Sequence, residues 1–205
     1  MAINTETEIE SSPAHRLCTR EGSLVGRTRL AELFHTLDQS PVPLSKDQLL
    51  EQLSGLELTI DDVRPWMNFS PNGYVRNLVH DRATYQALLL CWRNGQRSPI
   101  HDHAGSACGV LVVHGTVTET IFDRAPNGMI MGVESLTLTE GEVCASVDQN
   151  IHQISNLQAN SADLVTLHIY SPPLRTMGTY SLTDAQVRHV EEPIFIPEWC
   201  DGAGI

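Results

Sequence analysis

The sequence predicts a mainly β, single-domain protein, an antiparallel sandwich or barrel whose helices are gathered in the first third of the chain. Three observations carry this. Apolar residues at helix spacing end near Met67. From Gln86 onward, short segments rich in Leu, Val, Ile and Thr alternate with turn residues. No helix-sized pattern interrupts those segments, which argues against βαβ units and a parallel sheet.

Leu24, Leu30, Leu33, Phe34 and Leu37 recur at the spacing of a first helix. A second begins after Ser45, because Ser45 and Gln48 form a capping-box pattern that satisfies orphan amide donors. Leu49, Leu50 and Leu53 are its expected apolar face, and Gly55 its stop. Residues 59–67 suit a short third helix limited by Pro65. The expected strands are 87–92, 109–114, 116–122, 132–138, 143–147, 152–155 and 164–170, punctuated by Asn94-Gly95, Gly115, Asn127-Gly128 and the turn around Gly141.

The chain has 205 residues, 41% hydrophobic and 19% charged, enough to bury a core without staples. Residues 1–20 read as a solvated tail and 21–205 as one domain with a helical N-terminal subregion. Asp and Glu number 25 against 13 Lys and Arg, a net charge of -12, so nucleic acid and anionic membrane are disfavoured partners. No run approaches the roughly 18 apolar residues of a membrane span. The first residues lack the basic and apolar regions of a secretory signal. The cysteines Cys18, Cys91, Cys108, Cys144 and Cys200 contain no CxxC pair, which suits reduced thiols in a cytoplasmic protein. Cys91 and Cys144 read as core, Cys18 and Cys200 as peripheral. A monomer is expected.

Among nine histidines, His15, His35, His80 and His189 need only surface or structural roles. His101 and His103 differ, because on a strand they would share one face and grip a transition metal together. A bare His-x-His pair is also compatible with two satisfied core imidazoles. The wider spacing adds to it. Gly95 is followed by five residues and then His101, Asp102 and His103; four more residues precede Cys108, and another six precede Gly115. This resembles the first motif of the cupin family, with Cys108 where cupins carry glutamate. Gly141, Val147, His152 and Asn156 resemble the second motif, with Val147 and Gln149 in place of its proline and glycine. The resemblance implies a jelly-roll-like cupin barrel with a metal on His101, His103 and His152. Without the glutamate, three neutral imidazoles leave a divalent charge uncompensated, which favours an anionic ligand such as a thiolate. The same three histidines would suit zinc with a bound water, so their number does not choose the metal.

A closer resemblance does. The stretches 74–78, 90–92, 101–108 and 167–173 look like those of the cysteine dioxygenase family, over roughly 74–180 of the chain. It implies a mononuclear Fe(II) centre that adds both atoms of O2 to the sulfur of free L-cysteine, giving cysteine sulfinate. Arg76 is otherwise a surface ion-pair residue, yet it has the planar fork that a substrate carboxylate needs. Relatives that prefer 3-mercaptopropionate carry glutamine there. Tyr74 is a candidate for the same carboxylate or for packing, and Trp92 for a pocket wall. Cys108 and Tyr170 match the pair joined by a thioether bond in animal-type members, and Gly109 is expected to leave side-chain space open beside them. His168, two residues before Tyr170, is expected to support its phenol rather than bind metal. The family also implies a cis bond between Ser171 and Pro172. Competing readings are a dioxygenase for 3-mercaptopropionate or cysteamine, a non-catalytic metal-binding cupin that regulates a partner, and a zinc-dependent hydrolase or isomerase.

Overall fold

The computed structural model describes residues 24–147 and 151–197. The tail at 1–20, and Cys18, Gln149 and Cys200, lie outside the described residues. The first helix, α1 (Leu24–Asp38), buries Leu30, Leu33, Phe34 and Leu37. The second, α2 (Lys46–Leu53), starts at the expected capping box: Gln48 N–H donates to Ser45 Oγ, and Ser45 N–H donates to Gln48 Oε1. Its buried face is Leu49 and Leu53. Leu50, expected beside them, is instead 38% exposed, because α2 meets the sheet along a narrow stripe. Gly55 follows at φ +82°, a conformation that closes the helix exit. α3 (Ile60–Val63) runs into a 3₁₀ turn at Arg64–Trp66, where Pro65 sits in the first turn and its missing N–H costs nothing.

Among the described residues eleven strands follow: β1 (Val75–Asp81), β2 (Gln86–Trp92), β3 (Ile100–His101), β4 (Ala107–His114), β5 (Thr116–Arg124), β6 (Ile130–Thr139), β7 (Val143–Ser146), β8 (Ile151–Ser155), β9 (Leu164–Ser171), β10 (Met177–Tyr180) and β11 (Arg188–Val190). They form two antiparallel sheets, one in the order β1-β2-β9-β4-β7 and one in the order β11-β10-β3-β8-β5-β6. The mainly β, antiparallel architecture stands, with two distinct sheets rather than a hydrogen-bonded ring. β1, β3, β10 and β11 were not among the expected strands, being short or interrupted by polar residues. The Ser171–Pro172 bond is cis.

β2, β4 and β9 are covered on both faces, which is why they read as continuous apolar runs. Alternate residues divide between two cores. Leu89, Cys91, Leu111, Val165, Leu167 and Ile169 pack with Leu30, Phe34, Leu49 and Leu53 of the helices. Leu88, Leu90, Trp92, Cys108, Val110, Ile154 and Tyr170 fill the space between the sheets. Cys91 is wholly buried, whereas Cys144 is only partly so. Gly109 belongs to the helix-facing side. A Cβ there would lie 2.8 Å from Leu53 Cδ1 and 3.0 Å from Leu49 Cβ, so the glycine admits α2 rather than leaving space beside Cys108.

Candidate metal centre and substrate pocket

His101 ends β3 and pairs in register with His152 of β8, which brings two imidazoles together across the sheet. His103 lies beyond the strand, so the two histidines do not share a strand face as expected. The chain turns there instead, through Ala104 at φ 47° and Gly105 at φ 94°. Asp102 holds this turn by accepting from Ala104 N–H at 3.1 Å, Gly178 N–H at 2.9 Å and the Tyr180 hydroxyl at 2.5 Å. Its carboxylate therefore points away from the histidines. Ligating nitrogens of His101, His103 and His152 all lie within 4.8 Å of one another, with all three side chains buried.

The far side of each ring is engaged. His101 Nδ1 is 3.0 Å from the Pro99 carbonyl, and that oxygen can only accept, so the proton sits on Nδ1. His152 Nδ1 is 2.6 Å from Glu119 Oε1, and His103 Nδ1 is 3.4 Å from Ser146 Oγ. A carboxylate behind an imidazole orients a metal ligand and raises its basicity. Burial first, and then the neighbouring histidines, push the pKa values of His101 and His103 well below the usual value, which keeps them in the neutral, ligating form. His152 Nε2 and His103 Nε2 approach to 3.1 Å. A cation between the three nitrogens satisfies all of their inward lone pairs, so the donor set fits a divalent transition metal. Among the described residues no carboxylate joins the group. Glu142 is exposed and closes the turn after β6 by accepting from Thr139 N–H at 2.6 Å.

The three rings form one wall of an enclosed cavity that is also lined by Tyr74, Arg76, Trp92, His168 and Tyr170. Arg76 is 3% exposed. Its Nη1 donates to the Glu192 carbonyl at 3.1 Å, while Nε and Nη2 are buried with no partner. Tyr74 stacks on Trp92, ring centroids 4.1 Å apart, and donates its hydroxyl proton to the Glu192 carboxylate. That proton is thereby committed, so of the two roles open to Tyr74 the geometry supports packing. Trp92 Nε1 donates to Thr166 Oγ1 at 3.1 Å. Thr166 Oγ1 lies 3.0 Å from His168 Nε2, and His168 Nδ1 lies 3.1 Å from the Tyr170 hydroxyl. Burial takes His168 down to about 3, so it is a neutral relay between two hydroxyls and stands outside the metal group.

Cys108 and Tyr170 are direct partners in the β4–β9 ladder, which sets their Cβ atoms about 4.5–5.5 Å apart. Burial raises both the thiol and the phenol well above their usual pKa values, so both keep their protons. Glu119, Thr166 and Glu192 were missed in the sequence. Glu119 and Thr166 were open to detection, each being a polar residue on the inward parity of its strand. Glu192 had no local signal.

Residues 46–183 match the family described as cysteine dioxygenase type I. The chain is 32% identical over 159 residues to cysteine dioxygenase type 1 of Bos taurus, covering 74% of this chain and 78% of that protein. For the Danio rerio protein of that name the figures are 26% over 156 residues, 74% and 77%. The Rattus norvegicus protein is 36% identical over 121 residues, 56% of this chain and 59% of its own length.

Proposed function

Because this chain belongs to the cysteine dioxygenase type I family, we propose that it adds both atoms of dioxygen to the sulfur of free L-cysteine. The product is cysteine sulfinate, and the site is one Fe(II) held by His101, His103 and His152. The observation that carries this reading is Arg76. A buried guanidinium with Nε and Nη2 unpartnered presents one intact edge of its fork to the cavity that the three histidines share. That edge makes two parallel charge-assisted bonds to a carboxylate, and leaving it unpaired is costly.

The iron supplies a meeting point for a thiolate and dioxygen. The protein supplies the rest. Three neutral imidazoles leave the metal charge to be balanced by the substrate's thiolate, which selects a thiol over an alcohol. Arg76 fixes the other end of the molecule. Tyr170, steadied by His168, sets a hydroxyl beside the reacting sulfur, and Leu90, Ile154 and Met177 keep bulk water out. Arginine rather than glutamine at position 76 supports L-cysteine over 3-mercaptopropionate. We place the protein in the cytoplasm as a monomer acting on small molecules.

The Cys108–Tyr170 pairing supports a thioether cross-link. Cys108 Sγ would bond to the ring carbon next to the Tyr170 hydroxyl, with loss of the thiol hydrogen and the ring hydrogen, and dioxygen taking up the two electrons and two protons. The reading is tested by oxygen uptake with Fe(II)-loaded protein on L-cysteine and on 3-mercaptopropionate. Greater kcat/KM for L-cysteine supports it, and the reverse order overturns the substrate assignment.

A further inference from the structure

The C-terminal segment 192–195 is the part of the pocket that no family motif covers, and four hydrogen bonds tie it to the substrate wall. Phe195 N–H donates to the Arg76 carbonyl at 2.8 Å, and Leu78 N–H donates to the Phe195 carbonyl at 2.9 Å, so this strap lies along the free edge of β1. One residue supplies the other contacts. The Glu192 carbonyl accepts from Arg76 Nη1 at 3.1 Å, and the Glu192 carboxylate accepts from the Tyr74 hydroxyl. Among the described residues, no carboxylate forms an ion pair with Arg76. The strap therefore restrains the guanidinium from one corner and leaves its charge and its Nε/Nη2 edge for another partner.

We propose that Glu192 is a positioning residue for substrate, through which the C-terminal strap locks the packed Tyr74 and holds Arg76 ready for the substrate carboxylate. This rests on the dioxygenase reading above and deepens it. An arginine side chain has many rotamers, and ordering it at the moment of binding would weaken the complex. Here the ordering precedes binding. The same residues also separate the inner cavity from an outer one lined by Arg97, Ile194 and Phe195, so releasing the latch would let water reach the guanidinium.

The test is steady-state kinetics of the full-length, Fe(II)-loaded protein and of Glu192→Ala, Glu192→Gln, Tyr74→Phe and the Tyr74→Phe/Glu192→Ala double variant. Glu192→Ala is expected to raise KM for L-cysteine about tenfold with kcat within about twofold, the loss of one charge-assisted hydrogen bond. Bound iron stays the same. The inhibition constant of cysteamine, which keeps the thiol and amine but lacks the carboxylate, stays within about twofold, because the strap acts only through Arg76, the carboxylate partner. Glu192→Gln recovers most of the loss, since its amide oxygen still accepts from Tyr74. The double variant is no worse than Tyr74→Phe alone. An unchanged KM in Glu192→Ala, an equal effect on cysteamine, or additive losses in the double variant overturns the proposal. Should Glu192→Ala fail to fold, Tyr74→Phe breaks the same latch from the other side, and an unchanged KM there overturns it as well. If the unmodified protein makes no sulfinate from L-cysteine, it is the dioxygenase reading that fails. The strap is then judged by the same comparison with 3-mercaptopropionate, which carries the same carboxylate.

Discussion

Along β9, Val165, Leu167 and Ile169 face the helices, while Leu164, Thr166, His168 and Tyr170 face the space between the sheets. All of these residues are buried, so burial does not distinguish the two sides. Their chemistry does. The helix-facing side is held mainly by dispersion and hydrophobic transfer, supplemented by hydrogen bonds such as that from Leu44 N–H to Ser171 Oγ at 2.7 Å, and is packed closely enough that β4 needs a glycine at 109 to admit α2. The inward side carries hydroxyls, imidazoles and a guanidinium. Each of these is hydrogen-bonded or, like the Arg76 edge, aimed into the cavity. One strand thus serves stability on one parity and chemistry on the other, and substitutions on the two sides are expected to fail in different ways.

The largest effect is expected on the inward side. Replacing His101, His103 or His152 by alanine should abolish turnover and leave less than about a tenth of an iron atom per chain, with the circular dichroism spectrum intact. Metal analysis and oxygen uptake check this. Next comes the opposite parity. Leu167→Ala should cost about 2–5 kcal/mol in denaturant unfolding, while the folded fraction keeps its KM for L-cysteine. A shift in KM there would break the division between the faces.

Behind the metal, Glu119→Gln should weaken Fe(II) binding about 10- to 100-fold, read by competition with a chelator, because His152 loses its carboxylate partner. Arg76→Gln should reduce selection for L-cysteine over 3-mercaptopropionate by at least about tenfold. The smallest effect belongs to Cys108→Ala. Activity should fall but remain measurable, and intact mass spectrometry should show only one species where the unsubstituted protein shows a second, lighter by two hydrogens. A single mass in both proteins would defeat the cross-link and leave the division of faces untouched.

How much of this could be read from the sequence follows from the same two faces. Strands buried on both sides, β2, β4 and β9, announce themselves as apolar runs, and the helix start at Ser45 is a local hydrogen-bond pattern. β1 has no such signature because Arg76, Asn77 and His80 interrupt it, although Asn77 and His80 are buried with partners that only the tertiary structure supplies. β3, β10 and β11 are two to four residues long and exist through their neighbours. The three histidines are legible from their spacing, but the shared strand face expected of His101 and His103 is not what joins them. His103 reaches the centre around a turn held by Asp102, not along a strand. Thr166 and Glu119 follow from strand parity once the inward face is known. Glu192 does not, since its contacts with Tyr74 and Arg76 span more than a hundred residues. A local pattern carries no record of them.

The claim that unites these observations is that the inward face builds one site for iron, thiolate and carboxylate together. The most direct measurement loads the protein anaerobically with Fe(II), adds L-cysteine, admits 18O-labelled dioxygen and weighs the product. The account predicts cysteine sulfinate with both new oxygens labelled, formed by the unsubstituted protein and lost in His152→Ala. Cystine as the only product, or a sulfinate carrying oxygen from water, would contradict it.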